Sequence, residues 1–575
     1  MITKITLDGF KRFQSQSFDV NDDVVLAGPN NSGKTTLLQA VAVWNLALQR
    51  WMAEHAESSK AKQRTGVPIS RGDFTAIPLR EMNLLWFDRD TAYSQGEKDG
   101  AAAGQPKLAA ITLYGKNPGK DDWRLSVTLR YTNKEQIYVK LADDAGNIIS
   151  DVPAAARDIK IVHVPPFSGI GAEETGLQLG FQNRLVGQGK PGDILRNLLL
   201  EVYRTDQKEK TGHWRALTED IFGLFRYQIK EPQYAEAADP FIRVEYTHGE
   251  TKTAFDIASA GSGFHQVLTL LGFFYTRSAS VLLLDEPDAH LHVILQRQVY
   301  DLLRAVARKR ACQLLISTHS EILLEDTGPE QILSFYGSPH RLAIETDRDQ
   351  VREALKRLSS LDILAAENGQ HILYVEDEAD FKILAEFARI LNHPFARFAA
   401  SPFVCPIHGR DAREAKAHFF GLKAISPAVK GVLLLDGDNR NLPDHEIAAD
   451  NLALLRWRRY EIENYILHPE ALLRFIAGPE PLFSIGSRKQ AEEFLNENFP
   501  PPALKDPLKD SDYLISTPAG KSILPGLLER AECRLSKKDY FQIAAQMKAE
   551  EIHSEVIEKL DAMAAILNQG LANGG

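Results

Sequence analysis

Apolar and polar positions alternate over the first 27 residues, as in "ITKITLDGF", and end in "DDVVLAG", which predicts short strands. A glycine-rich turn follows, and "TTLLQAVAVWNLALQ" then spaces its apolar residues as a helix does. Residues 50–110 are polar, with "SQGEKDG" and "AAAGQPK" reading as loops. From 108 to 165 the strand-like runs are "LAAITLYG", "WRLSVTLRY", "EQIYVKLAD" and "IKIVHVPP". Residues 190–230 read as helix and "PFIRVEYTHG" as strand; 254–320 then alternates helix, strand, helix, strand, the mark of a parallel α/β sheet. After a weak connecting region near 340–368 a second α/β pattern begins at "HILYVE" and runs through "SPFVCPIHG" and "KGVLLLDGD" to about residue 475. The proline cluster "NFPPPALKDP" at 498–507 predicts a linker before a helical tail.

Composition narrows this picture. At 575 residues the chain exceeds what one core sustains, and roughly two to four domains are expected. Hydrophobic content of 44% and charged content of 25% are those of a soluble protein. No apolar run reaches the roughly 18–20 residues of a membrane span, and "MITKITLDGFKRF" lacks a signal-peptide core, so a cytoplasmic protein without a membrane partner is expected. Cys312, Cys405 and Cys533 stand far apart, which excludes a disulfide scaffold and a clustered zinc site. The net charge of −10 argues against wholesale electrostatic binding to nucleic acid but is compatible with a local basic groove.

"GPNNSGKTT" fits the phosphate-loop pattern through Gly28, Asn30, Asn31, Ser32, Gly33, Lys34 and Thr35, with Thr36 following, and lies between an apolar strand and a helix. Its glycines let the backbone wrap phosphates, Lys34 is expected at the β- and γ-phosphates, and the Thr35 hydroxyl is expected on Mg²⁺. In "VLLLDEP" an apolar strand ends at Asp285, suited to the Mg²⁺ shell, beside Glu286, placed to polarise water. "CQLLISTHS" ends in Thr318 and His319; by itself His319 is a strand-end histidine satisfied by a neighbour, and after the two preceding motifs it becomes a γ-phosphate sensor. In "DAHLH", His290 and His292 are read at i,i+2 on a helix, which disfavours a metal pair and favours an interface. Together these segments resemble ABC-type ATPase heads of chromosome-maintenance and recombination proteins. That resemblance makes Ser262 and Gly263 of "GSGFHQ", a loose copy, the signature that grips ATP on a partner head. The long interval before Asp285 implies an insertion within about 50–250, either arm or dimerisation element, and "VHVPPFSGIGAEE" is expected to line the nucleotide site.

A second set of acids follows. "HILYVEDEADF" ends a strand at Glu376 and carries Asp380 on the next helix; sixty residues later "GVLLLDGD" ends in Asp436 and Asp438. Two parallel strands would bring these acids to one sheet edge, where hard divalent cations, Mg²⁺ or Mn²⁺, would offset their repulsion. Taken singly, each is also an ordinary cap or solvated loop residue. "RWRRYEIENYIL" adds Glu461 or Glu463 as further ligands; Arg456, Arg458 and Arg459 offer phosphate contacts or a solvated basic face, and Trp457 and Tyr460 a stacking surface or an amphipathic core helix. The ordered glutamate and D-x-D pair resembles the TOPRIM domain. Gly409 and Arg410 stand where such domains place a glycine turn, here without the usual second glycine.

The order of these motifs over nearly the whole chain resembles the OLD family of ATP-dependent endonucleases, relatives of the Gabija nuclease subunit and of retron-associated effectors. The resemblance implies an α/β protein with an ABC-type ATPase domain at 1–345, a TOPRIM-like nuclease domain at 368–480 and a helical segment at 481–575. It implies ATP, Mg²⁺ and optionally Mn²⁺ as cofactors, DNA as substrate, anti-phage defence as role, and a catalytic lysine for which Lys521 is the candidate. It further implies a homodimer or homotetramer through the ATPase heads, and a second component such as a helicase-like or HNH protein or a retron reverse transcriptase with its nucleic acid. A competing reading is a regulatory ATPase whose TOPRIM-like domain only binds a toxin, nucleic acid or partner. A third, a repair ATPase clamping DNA ends, is disfavoured by the absence of a long heptad coiled coil.

Overall fold

Both acid-tipped strands lie inside parallel sheets, one in each of two compact units, Met1–Leu355 and Lys356–Gly575. The structure, a computed structural model, describes residues 1–57, 66–94, 104–116, 122–143, 147–149, 151–249, 253–407, 412–438, 449–478 and 485–570. Gly409, Arg410 and most of the "SQGEKDG" loop lie outside the described residues.

In the first unit the strand Val24–Ala27 runs parallel to Gln313–Thr318, which runs parallel to Val281–Asp285, and Ile161–Val164 completes that side. Ile332–Ser334 and the antiparallel His340–Arg341 flank Val24–Ala27 on the other. The central strands are apolar through their middles because both faces are covered, so "VLLL" and "LLI" show no alternation. A second, antiparallel sheet runs Phe13–Asp19, Ile2–Phe10, Leu108–Gly115, Trp123–Asn133, Gln136–Ala142, Val67–Ser70. The helix Lys34–Glu57 packs with it: Trp44 is buried and donates its indole N–H to the Leu125 carbonyl at 3.0 Å. Gln313 ties the sheets together, its amide donating to the carbonyls of Ile2, Val20 and Asp22 while accepting from Ile2 N–H. Residues expected in an inserted arm, among them Val67, Ile69, Ile111 and Leu125, thus share one core with Leu37 and Val41 of the P-loop helix. The helical stretch becomes Leu195–Glu209 and His213–Phe225, packed on the helix Ser262–Thr276.

In the second unit four parallel strands lie in the order Val404–Pro406, Ile372–Val375, Gly431–Leu435, Leu452–Arg456. The proline cluster is not a linker: Pro500 precedes the helix Pro501–Lys505, where prolines at the first positions forfeit no hydrogen bond, and Phe499 and Ala503 are buried. The helical tail joins the same core, with Leu524, Leu527, Val556 and Leu560 clustered with Leu373, Phe387 and Val432.

Candidate functional site

The P-loop is shaped by contacts that exclude side chains. A Cβ on Gly28 would stand 2.7 Å from Phe335 Cβ, and Gly33, at φ +110°, would meet Phe13 at 2.6 Å. Lys34 is buried and donates to the carbonyls of Gly28 and Pro29, each at 2.8 Å, and burial pushes its pKa down to about 8. Thr35 Oγ1 donates to Asp285 Oδ1 at 2.9 Å, and Ser317 Oγ donates to the same oxygen at 2.5 Å. Burial raises the Asp285 pKa while both hydroxyls lower it. Glu286 sits at φ 51°, a left-handed conformation, with its N–H on the Ser317 carbonyl and its Oε1 3.3 Å from His319 Nε2. That His319 contact holds the Glu286 carboxyl below its ordinary value. Asp288, which the sequence reading passed over, accepts from Thr318 Oγ1 at 2.9 Å, and burial pushes it up to about 6.

Ser262 is exposed at the start of its helix, and a Cβ on Gly263 would stand 3.2 Å from the His290 carbonyl. Gln266 from the same helix donates to the Glu286 carbonyl and accepts from His290 N–H. His290 and His292 are not on a helix: both precede Val293–Lys309, with His292 its N-cap, because the chain makes turns over 286–290 before the helix begins. Val164, Pro165 and Phe167 line a small cavity with Asp285 and Gln266, which places the strand end of "VHVPPF" beside the Asp285 carboxylate.

In the second unit the parallel pairing of Ile372–Val375 with Gly431–Leu435 sets Glu376 and Asp436 at one sheet edge. Asp436 N–H donates to Glu376 Oε1 at 3.0 Å, and ligand oxygens of Glu376, Asp436 and Asp438 lie within 4.8 Å of one another. Gly437 between the two aspartates is obligatory in this packing, since a Cβ there would stand 2.1 Å from the Arg459 carbonyl. Asp380 is buried at the start of the helix Glu378–Ile390, its carboxylate accepting from Asp377 N–H at 2.8 Å. Burial, then Glu463, pushes Asp380 up to about 8. Asp436 goes further, to about 10, through burial and then the charges of Glu376, Asp380, Glu463 and Glu461. Four carboxylates therefore act on Asp436, and Asp438 lies within reach of it. Their donor chemistry fits hard divalent cations, which take oxygen ligands and offset this repulsion.

The tail supplies the counter-charges. A one-turn π-helix, Ala519–Ile523, brings Gly520 N–H to Glu461 Oε1 at 2.5 Å, and Lys521 lowers the raised pKa of Glu461. Lys537 Nζ stands 3.1 Å from Glu463 Oε1. Burial alone would depress Lys537, but Glu463 holds its pKa above the ordinary lysine value. Lys537 was not singled out in the sequence; "SKKD" carries no pattern that separates it from surface lysines.

"RWRRYEIENYIL" is corrected in two ways. It is no amphipathic helix but the end of the strand Leu452–Arg456, a loop, and the short turn Ile462–Tyr465. Arg459 is 2% exposed, paired with Asp510 at 3.0 Å and bonded to the carbonyls of Asn464 and Pro507, so it holds the loop and does not meet phosphate. Trp457 is buried against Tyr465 at 4.6 Å and offers no stacking face. Arg458 pairs with Glu558 at 3.0 Å, and Tyr460 interacts with Asp438.

Residues 140–325 match the family model described as "AAA domain, putative AbiEii toxin, Type IV TA system". The first unit carries an ABC-type ATPase domain. The match takes in Asp285, Glu286 and His319, with the P-loop of this ATPase domain preceding it in the chain. No curated protein matches the chain. Among solved structures the chain is similar to an SMC head bound to the C-winged helix domain of ScpA, at 17% identity over 58% of this chain and 94% of that one, TM-score 0.36. It is also similar to the SMC head domain from Thermotoga maritima, at 14% identity over 60% and 99%, TM-score 0.32. A third is the Smc head domain with extended coiled coil from Pyrococcus furiosus, at 15% identity over 58% and 92%, TM-score 0.33. No helix among the described residues is long and apolar enough to cross a membrane.

Proposed function

We propose that this chain is an ATP-dependent, Mg²⁺- or Mn²⁺-requiring DNA endonuclease of the OLD type, an anti-phage effector whose second unit is a TOPRIM-like nuclease. The ATPase domain implies ATP and Mg²⁺, held by the Gly28–Thr36 loop and Asp285, with Glu286 oriented by His319 to polarise water. The observation that carries the nuclease reading is the convergence of Glu376, Asp436 and Asp438 within 4.8 Å, with buried Asp380, Glu461 and Glu463 acting on Asp436. Divalent ions bound there would activate water for attack on a phosphodiester and stabilise the oxygen that leaves. Lys537 or Lys521 would meet the charge that develops on the phosphate. Water adds across the P–O bond, leaving a phosphate end and a hydroxyl end. Head-to-head assembly as a dimer or tetramer is supported by exposed Val293 and Ile294 beside His290 and His292. A helicase-like, HNH or retron component would join as a further partner.

One observation favours a non-cleaving binding platform: Lys537 already offsets Glu463 inside the acid group. Plasmid nicking with Mg²⁺ or Mn²⁺ separates the readings. Wild type should nick and Glu376→Ala should not; equal nicking by both, or by neither while ATP hydrolysis persists, removes the endonuclease.

A further inference from the structure

A sizeable cavity of the first unit lies away from the P-loop and has no role in the reading above. It encloses about 580 Å³, within the range of small-molecule sites. Asn45, Leu46 and Gln49 come from the helix that begins at Lys34; Phe273, Thr276 and Arg277 from the end of the helix that begins at Ser262. The edge strand Ile161–Val164 and the helix Leu179–Gly187 supply the remaining walls.

Its polar groups divide into engaged and free. Arg277 is committed to Glu201 at 2.5 Å and Gln182 at 2.9 Å, and Asn45 to the Ile161 carbonyl and to Gln49. Lys160 at the rim is exposed and has no ion-pair partner among the described residues. His163 hydrogen-bonds the Ala76 backbone and keeps Nε2 buried with no partner in the chain. Burial pushes this imidazole down to about 4, so the wall presents a neutral ring and not a cation. Leu46, Leu179, Val186 and Phe273 give the body of the cavity apolar sides, while Thr75, Asn183 and Ser278 add hydroxyls and an amide. A flat heteroaromatic with an amine donor, tethered to one anionic group, matches these surfaces together.

We propose that this cavity is a second nucleotide site, specific for a nucleoside monophosphate: the base between the two helices, and the phosphate at Lys160. The ligand would touch the helix of Lys34 and the helix of Ser262 at once; if it bound two conformations of these helices unequally, its effect on ATP affinity and that of ATP on its own would be equal.

The test uses the full chain with Lys34→Ala, so that the P-loop does not capture the probe, and AMP and dCMP as ligands in calorimetry. One molecule of monophosphate per chain is expected. Lys160→Glu should weaken binding about tenfold, the loss of one charge-assisted contact, and Asn183→Trp, at an exposed rim position, should block it. Circular dichroism of each variant verifies folding. Adenosine without phosphate should bind more weakly than AMP and ignore the Lys160 change. Heat absent for both monophosphates at millimolar concentration, or binding unchanged in both variants, overturns the proposal. These outcomes are independent of nicking, so failure of the acidic centre and failure of this site are distinguishable.

Discussion

Asp436 concentrates the chemistry of the second unit in one side chain. Its carboxyl is pushed up to about 10, whereas in an unfolded chain it titrates near the ordinary aspartate value. Between those values the native state holds a proton that the unfolded chain has lost, so without divalent ions stability falls as pH rises through this window. A cation must displace that proton. Mn²⁺ affinity should therefore rise with pH, up to about tenfold per unit for one proton released. Titration by calorimetry at pH values near 6.5, 7.5 and 8.5 checks this, and Asp436→Asn should bind weakly with a shallower slope, the part that the raised Asp380 carboxyl leaves. Pairs of this kind were partly legible in the sequence. Glu376 and Asp436 announce themselves because each ends an apolar run, with Asp438 two residues on, and strand ends converge at a sheet edge. Lys537 does not, since nothing local records that residues 74 positions beyond Glu463 fold back onto it. Asp288 escaped for a different reason: its neighbours Asp285 and Glu286 already accounted for the motif.

At the level of elements, the two "LLLD" strands were readable because a strand buried on both faces must be apolar throughout. The "RWRRY" loop misleads because three arginines within four residues imitate a basic surface, while Arg459 in fact satisfies buried carbonyls that the loop would otherwise leave unpaired. The π-helix Ala519–Ile523 had no sequence signal, yet it fixes Gly520 against the acids. A methyl group on Gly520 would stand 2.9 Å from Glu463 Oε1 and 3.1 Å from Glu461 Oε1, and moving Glu461 breaks its hydrogen bond from Gly520 N–H. Gly520→Ala should thus weaken metal binding by about tenfold, the usual effect of disturbing groups that orient ligands. The melting temperature should drop by only a few degrees, roughly the effect of 1 kcal/mol in a domain of this size. Metal titration and calorimetric melting of the same sample separate this from general unfolding: a large melting loss with unchanged affinity would assign Gly520 to the core and not to the site.

Across the molecule, the order of the motifs was legible and the packing of the tail was not, since a proline cluster reads as a linker until Phe499 and Ala503 are seen in the core. The remaining question is how a nucleotide at Lys34 bears on carboxylates in a separate unit. By linkage ATP alters cleavage only if it binds two conformations of the chain unequally, and any such preference must pass through the P-loop contacts. Lys34→Ala removes the cation expected at the β- and γ-phosphates while leaving Glu376, Asp436 and Asp438 untouched. Hydrolysis of ATP should fall about a hundredfold or more, as when a charge-stabilising donor is deleted. Nicking should persist and lose its response to ATP, settling at one rate with or without nucleotide. Asp436→Asn should show the reverse, normal hydrolysis without nicking. Parallel phosphate-release and plasmid assays on the two variants read both arms. If Lys34→Ala still responds to ATP, nucleotide acts on cleavage through some other site, and the cavity of the first unit beside Lys160 and His163 becomes the first place to look.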